Sequence, residues 1–208
     1  DFCLKVNPKV EFEIGTEESL FPYSPHELGV ILQHLKDKVS PLGWKRIKTV
    51  CIQCGTALSG NDNVGKYNSE KLSSMVAVCK GFGKQSKEHN GDYVTAKIIH
   101  NKFNKGLDLV NIAPEFGKMQ TDIYLERFSS DQFDKWFEIS YNSMKWKKCV
   151  SPDFNPFESN VSRIKLIRIC GHYTFNFDSF RQLKESVDDV GEELKKRFAK
   201  RLDSINMG

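Results

Sequence analysis

The sequence predicts an α/β protein built on a parallel sheet. Three observations point to it: four short strand-like segments recur, each is followed by a helical segment, and the conspicuous polar residues cluster where each strand ends. Repeated strand-then-helix order brings every strand back in the same direction and leaves the helices packed outside the sheet.

The first strand is expected at residues 10–14, in Val10-Glu11-Phe12-Glu13-Ile14, closing on Gly15-Thr16-Glu17. A helix follows over 25–39. Ser24 is placed to cap it, Pro25 takes its first position, and Leu28, Ile31, Leu32 and Leu35 form its apolar stripe. The second strand, 49–53, stops at Gly55, and a polar loop leads to a helix over 69–82. Ser69 is its expected cap, with Leu72, Met75, Val76 and Cys79 on the buried side. The third strand, near 84–89, is too polar to read from pattern alone and gains its place from the helix expected over 94–104. The fourth, 107–112, is plainly apolar, ends in Ala113-Pro114-Glu115, and precedes a helix over 116–128.

Beyond this the character changes. Residues 129–160 are rich in aromatics, Ser and Pro and predict two helices and a turn at Ser151-Pro152. Phe180, Leu183, Val187, Val190, Leu194, Phe198, Leu202 and Ile205 then recur every three or four positions, predicting one long amphipathic helix. Such a helix packs on its own domain or forms an oligomer seam. The expected division is therefore 1–128 for the strand–helix units and 129–208 for a helical C-terminal region.

Charge and cysteine usage narrow the class. The net charge of +4 is spread among interspersed acidic residues, and the basic stretch around Lys145, Lys147 and Lys148 is short, so no nucleic-acid partner is expected. No run nears the ~18 apolar residues that a membrane-spanning helix needs, so no membrane association is expected. The N-terminus shows no apolar signal region and no initiator Met, which fits a processed chain or a segment of a longer one. Cys51-Ile52-Gln53-Cys54 has the C-x-x-C form of redox and zinc sites. It sits within an apolar strand, however, without a second pair to complete a zinc site and away from the helix N-terminus that redox chemistry favours. Buried strand cysteines in a reducing cytoplasm are the expectation.

The chemistry collects at the strand ends. Glu13, Thr16 and Glu17 leave the first strand; Gln53, Gly55 and Thr56 the second; Glu88, His89, Asn90 and Asp92 the third; Asn111 and Glu115 the fourth. In a barrel or an open parallel sheet that edge carries the site, because its loops converge on one mouth. The carboxylates are candidates for proton transfer or for holding a cation, and His89 for acid–base work or metal ligation. Gly55, Gly91 and neighbouring amides are candidates for a phosphate pocket. His26, His34 and His100 fall on expected helices, and His172 reads as structural.

These residues carry a family resemblance. Phe12-Glu13-Ile14-Gly15-Thr16-Glu17 resembles the "IGTE" strand of the accessory, non-catalytic subunit of class II tagatose-bisphosphate aldolase. Glu88-His89-Asn90-Gly91-Asp92-Tyr93 resembles that family's E-x-H-(S/N)-x-D-Y motif, and Asn111-Ile112-Ala113-Pro114-Glu115-Phe116 its last barrel strand. The likeness covers roughly residues 10–126. It implies a (β/α)8 TIM barrel acting on phosphorylated sugars, of which this chain holds the C-terminal half plus a helical tail. The half that would carry the His-x-x-Asp-His-like metal residues has no counterpart here, so the missing strands belong to a longer polypeptide or to another chain. The resemblance implies three functions in order: an aldolase-like lyase working through a metal-stabilised enediolate, a non-catalytic subunit supporting a separate aldolase, or a sugar-phosphate isomerase or epimerase. It assigns Glu17 and His89 to catalysis and Gln53, Thr56, Asn90, Asp92, Asn111 and Glu115 to substrate binding. It further implies a divalent metal, zinc, with His89 as a ligand. The expected partners are a phosphorylated sugar and either an aldolase subunit or further copies of this chain.

Overall fold

The computed structural model describes residues 2–15 and 23–206, and its chain divides into two compact units. The first comprises Asp1–Ala57 and Asn63–Ile112; the second comprises Leu58–Asp62 and Ala113–Gly208. The boundary falls at Ile112/Ala113 rather than at residue 128, because the helix that follows packs with the C-terminal helices. Among the described residues no helix is long and apolar enough to cross a membrane.

In the first unit, α1 (Phe2–Val6) precedes β1 (Phe12–Ile14), α2 (Pro25–Lys38), α3 (Pro41–Arg46) and β2 (Ile47–Ile52). Residues 58–62, which belong to the second unit, interrupt the chain with most of a small two-stranded ladder, β3 (Leu58–Ser59) and β4 (Asp62–Asn63), before the first unit resumes with α4 (Ser69–Gly81). Then come β5 (Gln85–Glu88), α5 (Ala96–Asn104) and β6 (Leu109–Val110). The main sheet has the order β1-β2-β5-β6 with every neighbouring pair parallel, so the expected α/β architecture is present. No closed barrel forms among the described residues. Val50 and Ile52 of β2 turn toward α2 and α4 and form a core with Leu28, Leu32, Leu72, Met75, Val76 and Cys79. Strand alternation therefore sends Cys51 to the opposite face.

Local chemistry explains most boundaries. Ser24 accepts from the Glu27 amide while Glu27 reaches back to the Ser24 amide, a reciprocal cap that starts α2. The cap of α4 is Asn68, one residue before the expected Ser69, and its side chain accepts from the Lys71 amide. β5 is polar yet forms because both its neighbours pair with it and its inward side chains are satisfied. Ser86 is bound by Asp108 at 2.8 and 2.9 Å, and Glu88 by Lys102, Cys54 and Thr56. The fourth strand shrinks to Leu109–Val110, since the Leu107 amide closes the end of α5 on the Lys102 carbonyl and Asp108 is drawn to Ser86.

The second unit is helical: α6 (Pro114–Arg127), α7 (Ser130–Asn142), a 3-10 turn at Lys145–Cys149, α8 (Asn160–Cys170), a 3-10 turn at Gly171–Thr174, α9 (Asp178–Lys184) and α10 (Val190–Asn206). Its core gathers Tyr124, Trp136, Phe137, Leu166, Ile167 and Phe180, with Trp136 Nε1 donating to Thr174 Oγ1 at 3.0 Å. The long helix expected from residue 180 onward is two helices. Gln132 Nε2 binds the Leu183 carbonyl and Ser186 Oγ, Arg127 binds the Asp188 carbonyl, and Asp189 turns to φ 55°. Tertiary hydrogen bonds thus end α9 where the apolar period alone would run on. α10 lies along α6 through Phe116–Phe198 ring contact at 4.4 Å and the Arg197–Glu126 and Arg201–Glu115 pairs.

Candidate functional site

Three neighbouring strands bring four polar side chains together on the face away from the apolar core. Glu13 stands near the end of β1, Cys51 near the end of β2, Lys87 on β5, and His89 directly after it. The register explains the meeting: Cys51 lies beside Lys87, and a bulge between Phe12 and Glu13 resets β1 so that Glu13 lies beside Thr49. Cys51 Sγ is 3.1 Å from Glu13 Oε1 and 2.9 Å from His89 Nε2, while His89 Nε2 is 3.2 Å from the same Glu13 oxygen. Lys87 Nζ holds the other oxygen, Oε2, at 2.6 Å. Glu13 and His89 keep 33% and 40% of their side-chain surface exposed, enough for a small molecule to reach them. One ligand atom each from Glu13, Cys51 and His89 lie within 4.8 Å of one another, so among the described residues these three are grouped closely enough to share a metal ion.

The electrostatics follow from this packing. Burial works to raise the Glu13 pKa, but hydrogen bonds from Lys87, Cys51 and His89 outweigh it and leave the carboxyl below its usual range. Burial, then the adjacent Glu13 carboxylate, pushes the Cys51 thiol up to about 12, so at neutral pH it is a protonated donor. A depressed carboxyl pKa stabilises the fold above the unfolded value, and that contribution disappears as the pH falls through the folded value. The stability difference between wild type and Glu13→Gln is therefore expected to be full at neutral pH and to close on acidification below the ordinary carboxylate range. Urea unfolding at a series of pH values checks it, and a difference that is constant with pH would refute it.

A second polar network lies on the other face of β5. Glu88 and Lys102 form an ion pair with 0% and 1% side-chain exposure, and the Glu88 carboxylate also accepts from Cys54 and Thr56. Thr56 Oγ1 is 2.9 Å from the His89 carbonyl, which ties this buried pair to the backbone of the site. Glu88 is thus directed away from the exposed cluster, opposite to its sequence neighbour His89.

The remaining sequence candidates scatter in role. Gln53 is buried and its Oε1 accepts from the Tyr23 amide at 3.0 Å; Thr56 and Asp92 are also buried. The Asn90 and Asp92 carbonyls both accept from Asn63 Nδ2, at 2.8 and 3.0 Å, so these residues shape the loop after β5. Asn111 is exposed, and its backbone exchanges bonds with the Glu88 carbonyl and the Gly91 amide. Glu115 belongs to the second unit, where it opens α6 and pairs with Arg201 at 2.7 Å. Glu17 lies outside the described residues. Gly55 and Gly91, the glycine candidates for a phosphate pocket, both sit where neighbouring groups approach the backbone closely. A Cβ on Gly55 (φ 100°) would stand 1.9 Å from the Lys66 carbonyl oxygen, and one on Gly91 would stand 2.1 Å from Val110. Sequence reasoning took Cys51 for a buried strand cysteine and did not single out Lys87. The usable signal was alternation, since Cys51 lies between Val50 and Ile52, which both face the core.

No protein-family model and no curated protein matches the chain. Solved structures do. A glycerol-bound crystal structure of fructuronate-tagaturonate epimerase UxaE from Cohnella laeviribosi matches with a TM-score of 0.67 and 17% identity, over 95% of this chain and 46% of that one. The native structure of the same enzyme gives 0.66 and 17% over 99% and 49%. A probable tagatose 6 phosphate kinase from Sinorhizobium meliloti 1021 gives 0.58 and 15% over 94% and 56%. The chain spans about half the length of these proteins, and at such identities what is shared is the fold.

Proposed function

We propose that this chain is the site-bearing half of a (β/α)8 barrel that acts on a phosphorylated or carboxylated ketose through an enediolate. The observation that carries this reading is the convergence of Glu13, Cys51, Lys87 and His89 at the C-terminal ends of three successive parallel strands, where barrel chemistry resides. The strand order β1-β2-β5-β6 supports it: the strands follow one another without the reversal of order that marks a doubly wound sheet. β1 and β6 remain as edges of the described sheet, to be paired by further strands of the same polypeptide or of a partner subunit.

An enediolate needs a base, a cation facing the developing oxyanion, and donors for the sugar hydroxyls. The Glu13–His89 pair supplies the proton-moving groups, and Lys87 supplies fixed positive charge. The exposed Asn111 and the half-buried Asn90 are placed at the rim for hydroxyls. Aldol cleavage followed by re-closure on the other face inverts a carbinol centre, so one enediolate serves an aldolase and an epimerase alike. The matched structures named for fructuronate and tagaturonate epimerisation favour the second outcome. A separate accessory role is the reading if turnover requires a second protein.

The test is a nuclear magnetic resonance assay of the full protein with phosphorylated ketoses and ketohexuronates. An inverted sugar indicates the epimerase, and a pair of shorter carbonyl fragments the aldolase. If neither forms from any of these sugars, with or without a co-purifying subunit, the reading is wrong.

A further inference from the structure

We propose that Asn63 is a positioning residue, which sets the place of the His89 imidazole by clamping the loop that His89 begins. Its effect on catalysis rests on the ketose reading above, whereas its hold on the loop does not. Asn63 ends β4, and each hydrogen-bonding position of its carboxamide is filled. Oδ1 accepts from the Ala57 and Gly65 amides, both at 3.3 Å. Nδ2 donates to the Asn90 carbonyl at 2.8 Å and to the Asp92 carbonyl at 3.0 Å. The partners on one side are N–H groups and those on the other are carbonyls, so only this orientation of the amide satisfies them. One side chain thus joins the segment leaving β2 to the loop leaving β5, and all of these residues lie in the first unit.

The loop is held carbonyl by carbonyl. The Asn111 amide donates to the Glu88 carbonyl and Thr56 Oγ1 to the His89 carbonyl, each at 2.9 Å, and Asn63 takes the next two. Asn90 and Tyr93 both stand at φ 59°, a left-handed backbone that a residue other than glycine keeps only where its surroundings fix it. The two Asn63 bonds fall between these turns and supply that fixing. The imidazole is 40% exposed, so packing alone does not lock it. Its approach to Cys51 Sγ at 2.9 Å and Glu13 Oε1 at 3.2 Å follows from where the backbone of 89 and 90 lies. Proton transfer needs its groups within hydrogen-bond reach, and a misplacement of about 1 Å costs about 100-fold in rate.

Asn63→Asp in the full-length protein tests this. The variant keeps the shape and one oxygen for the Ala57 and Gly65 amides, but turns a second oxygen on the Asn90 and Asp92 carbonyls. With the ketohexuronate or ketose phosphate that the wild type converts, kcat is expected to fall about 100-fold and KM to change far less. The His89 imidazole resonances are expected to move while those of His34 stay. In a His89→Ala background the same substitution is expected to cost no further rate, because a group that acts through the imidazole has nothing left to act on. Wild-type kcat in Asn63→Asp, or a further loss in the His89→Ala background, overturns the positioning role. Unmoved His89 resonances overturn the clamp whatever the sugar. If the wild type converts none of these sugars, the ketose reading falls and the resonances alone decide the clamp. Should Asn63→Asp fail to fold by circular dichroism, the wild type decides. Both Asn63 side-chain amide protons are then expected to exchange slowly with solvent, and exchange as fast as that of an exposed asparagine overturns the clamp.

Discussion

Replacing Lys102 by methionine is expected to cost about 3–5 kcal/mol of unfolding free energy, the penalty for leaving a buried charge without its partner. Lys102 and Glu88 are among the most deeply buried charged side chains of the first unit, at 1% and 0% side-chain exposure. Without the ammonium, the fully buried Glu88 carboxylate keeps, among the described residues, the Cys54 thiol and the Thr56 hydroxyl as donors. The double variant Glu88→Gln/Lys102→Met removes both charges together and is expected to recover most of the loss, because a neutral pair pays little desolvation. Urea denaturation of the two singles and the double forms the cycle that isolates the pair. A Lys102→Met protein within about 1 kcal/mol of wild type would show that the charge is reached by water after all. The variant has a second expected consequence. Thr56 ties Glu88 to the His89 carbonyl, so loosening the pair is expected to broaden the His89 imidazole resonance, and His34 on α2 serves as the unaffected reference.

His89→Ala is expected to lower kcat by about 10²–10⁴-fold, the usual contribution of one positioned acid–base group, with a much smaller change in KM. The side chain is 40% exposed, so its removal leaves no buried cavity and the fold is expected to persist. His34→Ala, on the exposed side of α2, is the matching control and is expected to turn over substrate at the wild-type rate. Initial rates on whichever ketose the wild type converts decide it. Equal rates for His89→Ala and wild type would remove the imidazole from the chemistry and return the cluster to a structural role.

The two faces of β5 show where sequence reading stops. Glu88 and His89 are adjacent in one motif and both stand among the candidates at the end of the third strand, yet alternation sends them to opposite sides of the sheet. One enters a buried ion pair, and the other the exposed cluster. Cys51 shows the same limit. Its sequence context, an apolar strand, is right, and its burial is right, but its company depends on a register that pairs it with Lys87. No short-range pattern encodes that pairing, nor the bulge that sets Glu13 beside Thr49, on the same face as Cys51. The C-terminal helix fails differently: an unbroken apolar period from Phe180 to Ile205 is interrupted by Gln132 and Arg127, residues some fifty to sixty positions away.

The alternation of strands and helices, their parallel sense, and the capped start of α2 were legible in the sequence alone, because hydrophobic period and capping act over a few residues. So was the gathering of polar residues at strand ends, which follows once every strand runs the same way. Which of those residues meet was decided only by tertiary structure. Glu13, Cys51, Lys87 and His89 span 76 residues of chain, and their approach to within hydrogen-bonding distance is the product of inter-strand register, one bulge and the choice of face. Those three are set by the packing of the whole sheet against its helices, and no segment of the chain determines them by itself.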